Sequence, residues 1–153
     1  MDVEIRFATE DDIDALVDLW IDFMGHGFDI LSNLRMTPEN IKRWKSFAQM
    51  NVYGKMIKVA ELNRRIVGYI LLSYGVPPLD TIYRCANVLD LFIRKEYRKR
   101  GIGTLLLRDG MDYLKEQGFQ MVALNVLTEN FEALQLYEKE GFHKVFYTLK
   151  KYL

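Results

Sequence analysis

The 153 residues are 50% hydrophobic, 27% charged and 13% aromatic, which is the make-up of one folded domain and not of a disordered chain. Lys plus Arg and Asp plus Glu each number 21, and a net charge of zero argues against a protein that coats nucleic acid or membrane with positive charge. A single cysteine excludes an internal disulfide framework and a cysteine-cluster zinc site, and the two histidines have no carboxylates at ligand spacing, so no metal is expected. The acidic opening Met1-Asp2-Val3-Glu4-Ile5 does not read as a secretory leader, and no stretch of ~18 apolar residues is present to span a membrane. The expectation is a soluble, cytoplasmic, single domain over residues 1–153.

Residues 3–7 alternate apolar and charged side chains, the pattern of an opening strand. Thr9 followed three residues later by Asp12 has the form of a capping box, and Ile13, Leu16, Val17, Trp20, Ile21 and Met24 then recur at helical spacing. The glycines around His26 break that pattern, so residues 25–33 read as a loop. Its Phe28, Ile30 and Leu31 either close over a ligand or join the core. Thr37-Pro38-Glu39 starts a second helix with proline in its first turn, running to about Met50 with Ile41, Trp44, Phe47 and Ala48 inward. Residues 56–62 and 65–74 are two β-branched runs joined by Asn63-Arg64, as in a hairpin. After the Pro77-Pro78 loop, residues 86–93 (ANVLDLFI) form a nearly continuous apolar run, as a buried central strand does. A helix from about Gly101 to Gly118 follows, with Ile102, Leu105, Leu106 and Tyr113 inward. Then come a strand over 120–127, a helix from an Asn130 cap to Glu140 stopped by Gly141, and an aromatic segment over 142–152 with one or two last strands. The order β-α-α-β-β-β-α-β-α-β(-β) is an α/β (α+β) fold around a mixed sheet flanked by helices.

Residues 91–104 (LFIRKEYRKRGIGT) carry the most chemistry. A buried strand runs out into a basic turn, and Gly101 and Gly103 flank the start of a helix. The first turn of a helix has unpaired amides and a partial positive charge, and glycines there let an anion approach closely. Arg94, Lys95, Arg98, Lys99 and Arg100 add cations beside it. A P-loop would need Gly-Lys-Ser/Thr, which is absent, and a dinucleotide fingerprint would need a small residue where Leu106 stands. Without other signals the turn reads equally well as a solvated basic loop.

The combination Arg98-x-x-Gly101-x-Gly103 after Leu91-Phe92-Ile93 resembles the acetyl-coenzyme A signature of the GNAT superfamily of N-acetyltransferases. Asn130, Tyr137 seven residues on, and Gly141-Phe142 are similar to that superfamily's later motif, and Ile5-Arg6-Phe7-Ala8-Thr9-Glu10-Asp11-Asp12 to its first strand and the start of its first helix. The resemblance implies a bulge in the strand at Leu91, Phe92 and Ile93, which splays from its neighbour so that pantetheine lies in the gap. It implies that the backbones of Leu91 and Ile93 bond the pantetheine, and that Arg98, Lys99, Arg100, Gly101, Ile102, Gly103 and Thr104 cradle the pyrophosphate. It also implies that Asn130 touches the cofactor and that Tyr137 stands near the thioester sulfur.

The reaction so implied is direct attack of a primary amine on acetyl-CoA. The acceptor is a protein N-terminus, a lysine or a small amine, and no metal takes part. A lysine-like amine of pKa ~10.4 is neutral in about one molecule in 10³ at pH 7, so the lone pair costs roughly 4–5 kcal/mol to free. A phenol of pKa ~10 gives its proton to a thiolate of pKa ~8.5 only uphill, by about 2 kcal/mol. Tyr137 is therefore a hydrogen-bond donor to the leaving sulfur before it is a general acid, unless it is merely a core tyrosine. Many relatives carry a carboxylate two or four residues before the position of Leu91, but Leu89 and Asn87 stand there. Asp90 is adjacent, though the period of two turns it to the other face unless the bulge intervenes. Deprotonation through water, by an early-loop residue such as His26, or by use of an amine of lower pKa remain as alternatives. Two rival readings are a non-catalytic acyl-CoA-binding module of the same fold and a nucleic-acid binder using residues 94–100. The balanced charge weighs against the second. The aromatic last strands also offer an edge for pairing as a homodimer.

Overall fold

The computed structural model describes residues 2–25, 33–76 and 78–153. His26, Phe28, Ile30 and Leu31, and with them the loop reading of that stretch, lie outside the described residues. Strand β1 (Val3–Phe7) leads into a 3-10 turn (Glu10–Asp12) and helix α1 (Ile13–Phe23). Helix α2 (Pro38–Tyr53), strands β2 (Ile57–Leu62), β3 (Arg65–Ser73) and β4 (Cys85–Ile93), helix α3 (Ile102–Glu116), strand β5 (Met121–Leu124) and helix α4 (Phe131–Lys139) follow. The sheet order is β1-β2-β3-β4-β5, antiparallel except for the parallel β4–β5 pair, so the mixed sheet read from the sequence is present. Among the described residues, no helix is long and apolar enough to cross a membrane.

The ends of the elements follow local chemistry. Thr9 and Asp12 form the expected capping box, and the Asp12 carboxylate also takes both Arg6 nitrogens at 2.7 and 3.0 Å. Arg6 reaches Glu61 as well, at 2.9 Å, which ties β1, β2 and the start of α1 together. Burial alone would push the Asp12 carboxyl up, but the Arg6 guanidinium and the Thr9 amide outweigh it and hold it below the usual carboxylate range. In α2, the Thr37 hydroxyl caps the Asn40 amide at 3.1 Å with Pro38 in the first turn.

Two apolar layers sandwich the sheet. Leu16, Leu19, Ala48 and Val52 from α1 and α2 pack on Ile57, Val59, Tyr69, Leu71 and Phe92. On the opposite face Ile102, Leu106, Leu107, Leu114 and Tyr137 from α3 and α4 pack on Ile70, Leu72, Ala86, Val88 and Ile93. Two side chains expected inward are not there: Phe47 is 41% and Leu105 46% exposed. The interior-facing stripe of α3 runs through Leu106 and Leu107, and Phe47 stands at the rim of a groove.

The larger correction concerns the last segment. Residues 143–153 form no strand, and every one of them is exposed. The chain leaves α4 through a Schellman turn, with Gly141 at φ +92 and the Phe142 amide on the Tyr137 carbonyl at 2.9 Å. Among the described residues, no strand is assigned past that turn. Strand β5 also stops at Leu124, short of the expected 127, because its partner β4 turns away there.

Strands β3 and β4 approach closely at Gly68. A Cβ there would lie 2.7 Å from the Phe92 carbonyl oxygen and against the Ile93 side chain. Gly68→Ala is expected to lower unfolding free energy by about 1–3 kcal/mol in urea titration. Unchanged stability would mean that the two strands are not held this closely.

Candidate active site

Strand β4 is the axis of the site. Leu71 pairs with Asp90, but the next residue of β3, Leu72, pairs with Val88, so Leu89 is an extra residue on β4. A regular strand would put Val88, Asp90 and Phe92 on one face. The bulge reverses the phase: Val88 belongs to the α3 side, while Asp90 and Phe92 face α1 and α2. Just past the bulge the pairing with β5 ends, at Val88 opposite Leu124. Among the described residues β4 has no pairing with β5 beyond that pair, so no strand lies beside it on that side at Leu91 and Ile93.

Asp90 is the residue that sequence reasoning set aside. It lines a groove of about 380 Å³ with Trp20, Met24, Asn40, Arg43, Trp44 and Leu89. The floor is apolar and stiff, with Trp20 and Trp44 stacked 5.0 Å apart at 9°. The buried Tyr69 hydroxyl donates to Asp90 Oδ2 at 2.9 Å. Burial drives the Asp90 carboxyl up, the Tyr69 bond pulls it partly back, and the result is about 6. Tyr69 itself is raised well above the usual phenol range, by burial first and then by Asp90, so it stays a donor. The signal available in the sequence was one acid inside the apolar run ANVLDLFI, together with the tyrosine in β3.

Tyr137 reaches the same region from α4. It is 9% exposed and packs edge-on against Phe142 at 5.7 Å. Burial, helped by the charge of Asp90, pushes its hydroxyl up to about 12. Asn130 is the N-cap of α4, its Oδ1 accepting from the Ala133 amide at 3.2 Å. Asn87 is exposed, and Leu89 is 48% exposed at the groove.

The basic turn has a defined shape. Arg98 Nε donates to the Ile93 carbonyl at 2.8 Å with its guanidinium 5.3 Å from the Phe92 ring, so Arg98 pins the turn to the strand. Arg100 reaches the Glu96 carbonyl at 3.0 Å. Lys99 and Gly101 take left-handed conformations, at φ +59 and +79. The first hydrogen bond of α3 runs from the Leu105 amide to the Gly101 carbonyl at 3.0 Å, so the amides of Ile102, Gly103 and Thr104 precede the ladder. Gly101 has no side-chain cap to occupy them. A Cβ at Gly103 would make only ordinary contacts, with Leu136 at 3.6 Å and Ile93 at 3.7 Å. Internal packing thus does not require glycine at position 103, although glycine inside a helix costs about 1 kcal/mol relative to alanine.

Comparison with known proteins gives one consistent picture. The acetyltransferase (GNAT) family profile matches residues 14–142. An N-alpha-acetyltransferase of Saccharolobus solfataricus is 29% identical over 150 residues, which is 94% of this chain and 82% of that protein. A transcriptional regulator from Bacillus halodurans shares the fold with a TM-score of 0.78 at 24% identity, over 99% of this chain and all of that one. The PaiA N-acetyltransferase of Thermoplasma acidophilum, solved in complex with coenzyme A, gives 0.72 at 21% identity over 94% of this chain and 91% of its own.

The buried Asp90 carries a stability consequence. Its folded value of about 6 lies above the ~3.9 of an unfolded aspartate. The stability tied to this proton is therefore complete below about pH 4 and is lost as pH rises through about 6. Asp90→Asn keeps an acceptor for Tyr69 and removes the buried charge. It is expected to unfold with about 3 kcal/mol more free energy than the parent at pH 8 and to match the parent at pH 4. Urea titration at both pH values checks this; equal stability at pH 8 would show that the carboxylate is well solvated.

Proposed function

The chain belongs to the GNAT acetyltransferase family and is an acyltransferase, and we propose that it moves the acetyl group of acetyl-CoA to a peptide α-amine, with Asp90 as proton acceptor and Tyr137 as donor to the sulfur. The observation that carries this reading is the bulge at Leu89, which turns Asp90 into an apolar groove beside the open edge of β4.

The residues present fit acetyl-CoA. The amides of Ile102, Gly103 and Thr104 and the cations Lys99 and Arg100 suit the pyrophosphate. The glycine at 103 leaves the close approach that a phosphate needs. The edge of β4 beyond Val88, at Leu91, Phe92 and Ile93, is the proposed pantetheine contact, and Asn130, the N-cap of α4, a proposed further one. In the reaction the amine nitrogen forms a bond to the thioester carbonyl carbon, the carbon–sulfur bond breaks, and coenzyme A leaves as a thiolate.

Proton affinities select the acceptor. Moving a proton from a lysine ammonium (pKa ~10.4) to a carboxylate near 6 is uphill by about 6 kcal/mol; from an α-ammonium (pKa ~7.7–8.0) it is uphill by only about 2–3 kcal/mol. Asp90 is a serviceable base for the second and a poor one for the first. The resemblance to N-alpha-acetyltransferases points the same way. Burial also sharpens the role of Tyr137. With its hydroxyl near 12, protonation of a thiolate of pKa ~8.5 is uphill by about 5 kcal/mol. Tyr137 therefore stabilises the developing sulfur charge by a hydrogen bond, and the thiolate takes its proton from solvent.

Three measurements test this. Given acetyl-CoA, the protein should release thiol with peptides bearing a free α-amine and not with the same peptides blocked at that amine, even when they contain lysine. Turnover with lysine alone would overturn the acceptor, and no turnover with any amine despite a coenzyme A-induced rise in melting temperature would favour the non-catalytic acyl-CoA-binding reading. The kcat profile should rise through about pH 6, and Asp90→Asn should remove that limb and lower kcat roughly 10²-fold or more, with Tyr137→Phe lowering kcat while acetyl-CoA still binds. Gly103→Val should leave a folded protein whose KM for acetyl-CoA rises with kcat little changed; an unchanged KM would remove the α3 amides from the cofactor site.

A further inference from the structure

Helix α2 turns one stripe of side chains, Asn40, Arg43, Trp44 and Phe47, toward the groove that holds Asp90. Leu89, on the bulge of β4, lines the same groove. Phe47 is 41% and Leu89 48% exposed, so two large apolar side chains stand here with much of their surface still wet. Behind them the wall is fixed. Trp20 stacks on Trp44, the Trp44 ring meets Tyr69 edge-on at 6.2 Å and 68°, and the Tyr69 hydroxyl holds Asp90. One run of contacts thus joins the indole floor to the carboxylate. Among the described residues, the polar side chains at the groove are Asn40, Arg43 and Asp90, and Arg43 is already engaged by Glu39 at 3.2 Å.

An α-amine differs from a lysine amine in what lies next to the nitrogen. Its side chain branches from the adjoining carbon, so a nitrogen held at Asp90 delivers that side chain to the surface beside Asp90, which here is the indole floor. We propose that the groove is the subsite for the first side chain of the acceptor peptide, and that it selects a large apolar one (leucine, methionine or phenylalanine) over glycine, alanine, serine and acidic residues. The proposal rests on the α-amine reading and adds the side chain to it. The apolar surface of Phe47, Leu89 and the indoles leaves water only when a side chain of that size covers it, and glycine or alanine leaves it wet. At about 380 Å³ the groove is on the scale of small-ligand sites, more than a methyl group fills. A serine hydroxyl laid on the same floor loses water without gaining an apolar contact. An aspartate or glutamate there comes close to the Asp90 carboxylate, and like charges repel.

Trp20 and Trp44 are the only tryptophans of the chain, so intrinsic fluorescence reports on this floor directly. Peptides of one sequence that differ only in the first residue are titrated into the protein with coenzyme A, and turned over with acetyl-CoA. The leucine-first peptide should shift the emission, and its affinity and kcat/KM should exceed those of the alanine- and serine-first peptides by roughly 10- to 100-fold. Phe47→Glu should raise the KM for the leucine-first peptide about 10-fold or more and leave the KM for acetyl-CoA unchanged, with Phe47→Leu restoring the parent value. A leucine-first peptide that binds at the indoles and is not acetylated would keep the subsite and overturn the catalytic reading of Asp90. Glycine- and serine-first peptides handled as well as the leucine-first one would overturn the subsite and leave the α-amine reading standing. The subsite also falls if turned-over peptides leave the emission unmoved, or if the Phe47→Glu chain keeps the parent selectivity. Neither an emission change nor turnover with any peptide would overturn both.

Discussion

One inserted residue organises this molecule. If Leu89 were paired in regular register opposite Leu71 rather than bulged out, every side chain beyond it would shift by one and point to the opposite layer. Asp90 would then enter the apolar layer under α3, among Ile70, Leu106 and Tyr137, and Phe92 would leave its place against α1 and α2. With Leu89 inserted, the acid faces the groove and the following backbone leaves β5. The same insertion thus turns Asp90 to the groove just where β4 loses its pairing with β5, so the two parts of the proposed site are not independent.

Two aspartates withdrawn from solvent, Asp12 and Asp90, are treated in opposite ways. Asp12 meets a guanidinium and a backbone amide, and its carboxyl is held low as a fixed structural anion. Asp90 accepts from a neutral phenol beside an apolar layer, and burial raises its carboxyl to about 6. A paired aspartate is useless as a base because its proton affinity is suppressed. The unpaired one is uncomfortable in the fold for the same reason that it is useful in proton transfer, as the activity–stability trade at functional sites predicts.

The legible parts of the sequence were those written in local chemistry. The Thr9–Asp12 box, Pro38 after Thr37 and Gly141 after α4 mark element ends by backbone needs that hold in any context. The glycine pair at 101 and 103 and the Tyr137 register carried over for the same reason. Asp90 was left open because a period-two count from Leu91 points it away in an unbroken strand, and whether and where a bulge turns it is decided by pairing between β3 and β4, which has no local mark. Phe47 and Leu105 sit at the margins of their helical stripes, where the neighbouring layer decides burial. The last strand is the plainest case. Residues 142–152 have strand chemistry, but a strand also needs pairing with a neighbour, which no property of the segment itself supplies.

Burial acts on Asp90 and Tyr137 in the same direction and with opposite chemical results. Both hydroxyl-bearing groups lose affinity for the charged form. For the carboxyl, a rise to about 6 brings proton affinity toward that of an α-ammonium, which makes it a better base while leaving it mostly ionised at pH 7. For the phenol, a rise to about 12 makes ionisation rarer, which keeps its hydrogen available to a sulfur that becomes negative. A wet site would leave the carboxyl near 3.9 and the phenol near 10, a weaker base beside a more acidic phenol. The apolar layers above and below β4 therefore do more than hold the sheet: they set the proton affinities of both groups assigned to proton handling in the proposed reaction.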